Sequence, residues 1–330
     1  MKIAIVKLSA LGDIIHAMVV LQFIKKHNPE IIIDWIVEES FRELLESHPD
    51  INKVYSVNLK NVKKKRSLTL LLKEFRKIRQ FGPYDLIIDL QGLIKSAMIA
   101  YWIPSVRTIG FDKQSAREAI TSVFYTKTFK YGYSKNIVER NLAIVNFALS
   151  SSVSIKEIQY KMPLLYFKKK YLKKNFSHFK KNIILIPGAS HISKCYPTEK
   201  LAKLSRSIDA NYIIVWGNVE EKLLAEEIKS LSPKVNISDK LSLEVLMSLI
   251  SQADLIIGSD TGPTHMAWAL NIPSVTIFGS TPSYRNSYET RINKTIESDS
   301  LVNPLKINKN DYSIRDIKVE DLIKISESLL

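Results

Sequence analysis

The chain has 330 residues, of which 45% are hydrophobic and 25% charged, a composition that suits a folded protein with a large core and room for two domains. No apolar stretch reaches the length of a bilayer span, the start Met-Lys-Ile-Ala-Ile-Val-Lys lacks a signal-peptide apolar region, and the single Cys195 excludes internal disulfides and a multi-cysteine metal site. The formal charge of +15 is uneven, with nine Lys or Arg against Glu74 alone between positions 60 and 80 and seven Lys with no acid between 168 and 181, so the chain carries either strongly solvated faces or surfaces for a polyanionic partner.

In chain order, apolar runs at 3–8, 31–37, 54–57, 86–90 and 107–109 read as strands. Amphipathic stretches at 14–27, 41–47, 68–80, 93–102 and 136–149 read as helices. The rhythm repeats after a Lys-rich stretch, with strands at 183–186, 212–215, 255–257 and 275–278 and helices at 198–207, 220–231, 243–251 and 264–270. Strands alternating with helices predict an α/β protein with parallel, doubly wound sheets. The expected domains are 1–165 and 182–330, joined by a linker over 166–181. The last helix, 319–329, carries no signal that assigns it to either domain. Two such domains would turn their strand carboxyl ends toward a shared cleft, and ligands bind outside those ends.

The loops after the strands therefore hold the candidate chemistry. The most informative is Gly-Ser-Asp-Thr-Gly-Pro-Thr-His over 258–265, which follows an apolar run and opens a helix with Pro263 in its first turn. Its glycines permit close backbone approach, and the helix start favours an anion such as a diphosphate. Asp260, Thr261, Gly262 and His265 crowd into that turn. The alternative is an ordinary N-cap with a satisfied histidine. A second loop, Pro-Gly-Ala-Ser-His-Ile-Ser-Lys over 187–194, offers Ser190 as a donor and Lys194 as a point charge.

In a third loop, Glu221 after Trp216-Gly217 suits a ribose hydroxyl or the acidic first turn of a helix equally well. In the first loop, Ser9-Ala-Leu-Gly-Asp13, Asp13 is either an N-cap or a general base. Arg117 reads as an anion clamp or as the partner of a nearby carboxylate. The sequence has no G-x-G-x-x-G fingerprint after its first strand, no Walker A sequence and no H-E-x-x-H.

Together, Leu-Ser-Ala-Leu-Gly-Asp-Ile-Ile-His over 8–16, Asp-Leu-Gln-Gly-Leu-Ile-Lys-Ser over 89–96, Lys-Cys-Tyr-Pro over 194–197, Trp216-Gly217, the block 259–270 and Phe-Gly-Ser-Thr-Pro over 278–282 resemble the bacterial ADP-heptose:lipopolysaccharide heptosyltransferases. The resemblance spans nearly the whole chain. The segment Leu-Gly-Asp-Ile-Ile-His over 11–16, Glu38-Glu39 and Ser-Ala-Arg-Glu over 115–118 look most like heptosyltransferase I.

The resemblance implies a GT-B fold of two Rossmann-like domains facing a central cleft. It implies an inverting, metal-independent transfer of L-glycero-D-manno-heptose from ADP-heptose to the Kdo of Kdo-lipid A, with no cofactor. Asp13 would be the base, and Lys194 the catalytic cation. Ser190, Lys194, Glu221, Asp260, Thr261, Gly262 and His265 would serve the donor, while Gly12, Lys63, Lys64, Arg66 and Arg117 would serve the acceptor.

One departure is Ala189 before Ser190, where some relatives carry two Thr, which removes a hydroxyl donor. The basic charge fits a cytoplasmic enzyme in peripheral contact with the anionic inner membrane. Its runs lack interleaved aromatic platforms, which argues against nucleic acid. The rival readings are heptosyltransferase II and a nucleotide-sugar epimerase of GT-B type.

Overall fold

The computed structural model describes residues 1–171 and 175–330; 172–174, part of the basic stretch read as a linker, lie outside the described residues. The chain forms two compact units, Met1–Tyr166 and Phe167–Leu330.

In the first unit the elements run β1 (Lys2–Val6), α1 (Leu11–His27), β2 (Ile32–Glu38), β3 (Lys53–Val57), α2 (Leu59–Lys65), α3 (Leu68–Ile78), β4 (Tyr84–Asp89), α4 (Ile94–Trp102), β5 (Ser105–Phe111), β6 (Lys127–Phe129) and α5 (Ile137–Leu149). They build one six-stranded sheet in the order β3-β2-β1-β4-β5-β6, with every pair parallel. The central strands are apolar along their length because helices cover both faces; Ile3, Ala4, Ile5 and Val6 have no exposure at all.

The second unit repeats the plan with β7 (Asn182–Ile186), α6 (Thr198–Ser207), β8 (Asn211–Ile214), α7 (Val219–Leu231), β9 (Val235–Ile237), α8 (Leu243–Ile250), β10 (Leu255–Ser259), α9 (Gly262–Leu270), β11 (Ser274–Phe278), α10 (Ser283–Asn286), β12 (Asn293–Glu297) and α11 (Val319–Glu327). Its sheet is also six-stranded and parallel, in the order β12-β11-β10-β7-β8-β9. Both orders are those of a doubly wound fold, with the switch point beside the first strand of each unit.

Several expectations need correction. The helix expected at 41–47 is a 3₁₀ turn over Glu39–Leu44, and α2 was not foreseen. Asn58 starts α2 by accepting the Asn61 N–H at 3.1 Å, and Arg66, in left-handed conformation at φ 47°, ends it. The edge strands β6, β9 and β12 were also missed, being short or polar, as in the Asn-Lys-Thr-Ile-Glu of β12.

The described part of the expected linker is bonded to the second unit. Glu244 accepts the Lys168 and Lys169 N–H groups at 2.7 and 3.3 Å, and Ser248 Oγ accepts that of Tyr171 at 2.8 Å. The last helix also belongs there: Val319 and Leu322 of α11 are buried with Leu201 of α6 and Val275 of β11.

Candidate active site

The loops singled out in the sequence all leave the carboxyl ends of parallel strands. In the second unit, β10 delivers Asp260, and α9 starts two residues later. Gly258 makes this junction possible, because a Cβ there would lie 2.6 Å from Thr264 Oγ1 and 2.8 Å from Ile186 Cβ. Thr264 then ties the helix back to the strand by donating to the Ser259 carbonyl at 2.8 Å.

Asp260 is the hub of a buried polar cluster. Its Oδ2 accepts from Lys194 Nζ at 2.9 Å, from Thr281 Oγ1 at 2.8 Å and, at 3.4 Å, from Asn286 Nδ2. Its Oδ1 lies 2.9 Å from His265 Nε2. Burial alone would push this carboxyl up. The Lys194 ammonium and the His265 hydrogen bond outweigh burial and hold it far below the usual carboxylate range. An ionised carboxylate is only an acceptor, so His265 Nε2 must carry the hydrogen.

The cluster thus joins three loops, those after β7, β10 and β11. An ammonium has three N–H donors, and Asp260 takes one of Lys194's. The start of α9 at Thr261 and Gly262 adds the N–H groups that every helix leaves without intrahelical partners.

Glu221 lies against the β7 loop, where a Cβ on Gly188 would fall 2.2 Å from Glu221 Cγ. Its carboxylate accepts the Gly217 N–H at 2.7 Å and Asn218 Nδ2 at 2.9 Å, while Asn218 Oδ1 accepts the Glu221 N–H at 2.9 Å. The residue therefore also closes the first turn of α7. Ser190 is exposed in the same β7 loop.

In the first unit, Asp13 is in the first turn of α1, half-exposed, and is not the N-cap. Ala10 holds that position, and Asp13 Oδ2 accepts its N–H at 3.1 Å. The turn before it is pinned from β4: Gln91 Oε1 accepts the Leu8 and Ser9 N–H groups at 2.7 and 3.3 Å. Gln91 is itself placed by Asp89, whose buried carboxylate accepts the Gln91 N–H at 2.8 Å, Ser96 Oγ at 2.8 Å and Tyr125 Oη at 2.7 Å.

Gly12 lies next to Asp13 in α1. Lys63, Lys64 and Arg66 are exposed at the end of α2, and Arg117 is exposed in the turn after β5. The Arg140 guanidinium anchors that turn by donating to the Ser115 carbonyl at 2.9 Å. Among the described residues no group of three or more His, Cys, Asp or Glu is placed to hold a metal ion, and no helix is long and apolar enough to cross a membrane.

The sequence profile of glycosyltransferase family 9 (heptosyltransferase) matches residues 72–300. Lipopolysaccharide heptosyltransferase 1 of Campylobacter coli is 41% identical, over all of this chain and 99% of its own length. The chain belongs to glycosyltransferase family 9. A protein of the same name from Pseudomonas aeruginosa is 28% identical, over 87% of this chain and 81% of its own.

The fold of this family 9 member is GT-B. It matches E. coli heptosyltransferase WaaC with ADP at a TM-score of 0.81 and 22% identity, over the whole of both chains. It matches the family 9 glycosyltransferase of Veillonella parvula at 0.84 and 19% identity, over 99% and 96% of the two chains.

In this family 9 chain the structure bonds Lys194, Asp260 and His265 into one cluster, brings Glu221 against the neighbouring loop, and leaves Lys63, Lys64, Arg66 and Arg117 exposed on the other unit. Sequence reasoning missed Thr281, Asn286 and Gln91. Thr281 and Gln91 sat inside quoted motifs, but nothing in a linear sequence shows which carboxylate or loop a side chain reaches.

Proposed function

We propose that this family 9 glycosyltransferase moves L-glycero-D-manno-heptose from ADP-heptose to a Kdo hydroxyl of Kdo-lipid A. The observation that carries the reading is the buried Lys194–Asp260–His265–Thr281 cluster at the start of α9, in a chain 41% identical to a lipopolysaccharide heptosyltransferase 1. The second unit takes the donor: Ser190, Lys194 and the N–H groups at Thr261 and Gly262 meet the diphosphate, and Glu221 meets the ribose. The four hydrogen bonds on its carboxylate make Asp260 the anchor that orients Lys194 and His265.

In the reaction the acceptor hydroxyl attacks the anomeric carbon from the face opposite ADP. The new C–O bond forms as the bond to the diphosphate oxygen breaks, so the configuration inverts. The hydroxyl proton passes to the Asp13 carboxylate, and ADP leaves with the electron pair. Its growing negative charge is met by the Lys194 ammonium and by the helix start, a preorganised stabilisation that needs no metal. Gly12, Lys63, Lys64, Arg66 and Arg117 face the acidic acceptor. The enzyme works at the cytoplasmic face of the inner membrane, in peripheral contact with it.

Mass spectrometry of Kdo-lipid A incubated with ADP-heptose and the protein tests the reading. One heptose added to the Kdo-only acceptor supports it. Transfer only to a heptose-bearing acceptor makes the enzyme a heptosyltransferase II, and conversion of ADP-heptose without any acceptor makes it an epimerase.

A further inference from the structure

In the first unit, α3, α4 and the 3₁₀ turn Ala119–Phe124 lie side by side. The inner side of α3 is occupied: Ile78 is fully buried, and Phe75 packs on the cluster that contains Ala4, Val6, Ile87 and Ile99. Past the Phe75 edge of that inner side, such a helix is ordinarily polar. Here Leu68 and Leu72, one turn apart, are 76% and 58% exposed.

The stripe of positions 68, 72, 75 and 79 runs down to Trp102, with the Phe75 ring 4.9 Å and the Arg79 guanidinium 6.0 Å from its ring centroid. Trp102 is itself partly exposed. Its exposed neighbour Tyr101 meets Phe124 edge-on at 5.8 Å. The 3₁₀ turn continues the band with Ile120 and Val123, which is 68% exposed. Isolated exposed leucines are ordinary, whereas a band that runs from helix through aromatic rings to the next turn marks an interaction surface.

Charge identifies what covers it. Lys63, Lys64, Lys65 and Arg66 lie just before Ser67, the N-cap of α3; Lys73 and Arg76 lie on α3 itself, and Arg79 follows its last residue. Two acids border the face, and both carboxylates are engaged by backbone: Glu74, alone between positions 60 and 80, accepts the Asn58 N–H at 3.2 Å, and Glu118, before the 119–124 turn, accepts the Ile94 N–H at 2.6 Å. Leucines flanked by Lys and Arg, with Trp and Tyr alongside, are the pattern of a surface that lies in the headgroup layer.

We propose that the face formed by α3, the end of α4 and the 119–124 turn docks on an anionic phospholipid bilayer. The leucines and rings enter the headgroup–acyl boundary, and the cations meet lipid phosphates. The inference deepens the reading of a membrane-lipid acceptor by assigning the surface that reaches the membrane.

The test uses the full chain and extruded vesicles without substrates. Vesicles of phosphatidylglycerol and phosphatidylethanolamine are compared with phosphatidylcholine alone, in a co-sedimentation assay. The wild type and the control Leu223→Ser, an exposed leucine of α7, should bind the anionic vesicles and release in high salt. The double variant Leu68→Ser/Leu72→Ser should bind about ten- to a hundredfold more weakly with an unchanged melting temperature. Acyl chains labelled with bromine should quench Trp102 fluorescence, and Trp102→Phe should lose that quenching.

Absence of vesicle binding, equal binding by the double variant, or a solution dimer that the double variant converts to monomer would each overturn the proposal. Vesicle binding that persists while no heptose is transferred to a deacylated, water-soluble acceptor leaves this surface standing and removes the catalytic reading alone.

Discussion

Lys194 Nζ and Asp260 Oδ2 form a 2.9 Å ion pair in which both side chains are largely shielded from water. The two residues come from different loops, 66 positions apart, and Thr281 Oγ1 bonds the same carboxylate oxygen from a third. The arrangement holds a cation at the start of a helix through bonds within the protein itself. Preorganisation of this kind spares the reorganisation that a mobile lysine would need during the reaction.

Replacing Lys194 with Ala should weaken ADP binding and lower turnover by about two to three orders of magnitude, because the cation counts for more as the leaving group gains charge. Calorimetric titration with ADP and single-turnover kinetics separate the two effects. If both match wild type, Lys194 does not face the diphosphate. The metal-free account carries its own check: full activity should survive EDTA.

Asp260 should give stability a characteristic pH dependence. Its folded-state pKa lies below the unfolded value of about 3.9, so its contribution is fully present above that value and is lost as pH falls below it. Asp260→Asn leaves the Lys194 charge without its partner and should cost about 3–5 kcal/mol at neutral pH. Urea unfolding from pH 7 down to about 3 is the measurement. The gap between variant and wild type should hold constant down to about pH 4 and narrow below it. A gap of constant size throughout would mean that the carboxylate is not held ionised by its neighbours.

Tyr125 and Asp89 show how far legibility extended. The central strands β1, β4, β7 and β10 are continuous apolar runs because helices cover both their faces, and so they stood out in the sequence. Edge strands such as β12 have one side open to solvent and alternate with polar residues, which hides them. The loops at the strand ends were legible as sites because Gly, Asp, His and Lys concentrate there. Which of them meet was not. The Tyr125 hydroxyl reaches a carboxylate 36 positions away, and Gln91 clamps a loop 82 and 83 positions away. Such long-range side-chain bonds depend on strand order and leave no periodic trace.

From that network, Tyr125→Phe should destabilise the protein by about 1–3 kcal/mol, since it removes a donor from a buried carboxyl that burial already pushes upward. ADP affinity should not change, because the nucleotide is assigned to the other unit. Equal unfolding midpoints of variant and wild type would show that water replaces the phenol.

Replacing Lys63, Lys64, Lys65 and Arg66 together with Ser should raise the acceptor KM and flatten its dependence on salt. These side chains are exposed at the end of α2 and make no part of a core. Each charge near an anionic surface is worth about a factor of five in affinity, and salt screens it. Acceptor kinetics at low and high ionic strength decide the point. Unchanged kinetics at low salt would make the run an ordinary solvated face.

Asp13 presents the sharpest choice between a local and a catalytic role. One carboxylate oxygen accepts the Ala10 N–H, a bond that by itself describes a residue tidying the start of α1. As the reaction's base, Asp13 would contribute far more. Asp13→Ala should then lower turnover by about two to four orders of magnitude, while ADP affinity stays the same. The lost helix-start bond should cost only about 0.5–2 kcal/mol of stability. Asp13→Asn refines the test, since the amide keeps an acceptor for the Ala10 N–H but cannot take a proton at neutral pH. If Asn restores stability without restoring turnover, the carboxylate acts on the acceptor. If Asn restores both, Asp13 serves the helix and another group takes the proton. Gln91→Ala supplies an independent check, because it frees the Leu8 and Ser9 N–H groups and loosens the turn that carries Asp13. Turnover should fall in the wild-type background and change little in the Asp13→Ala background. Equal losses in both would show that Gln91 does not act through Asp13.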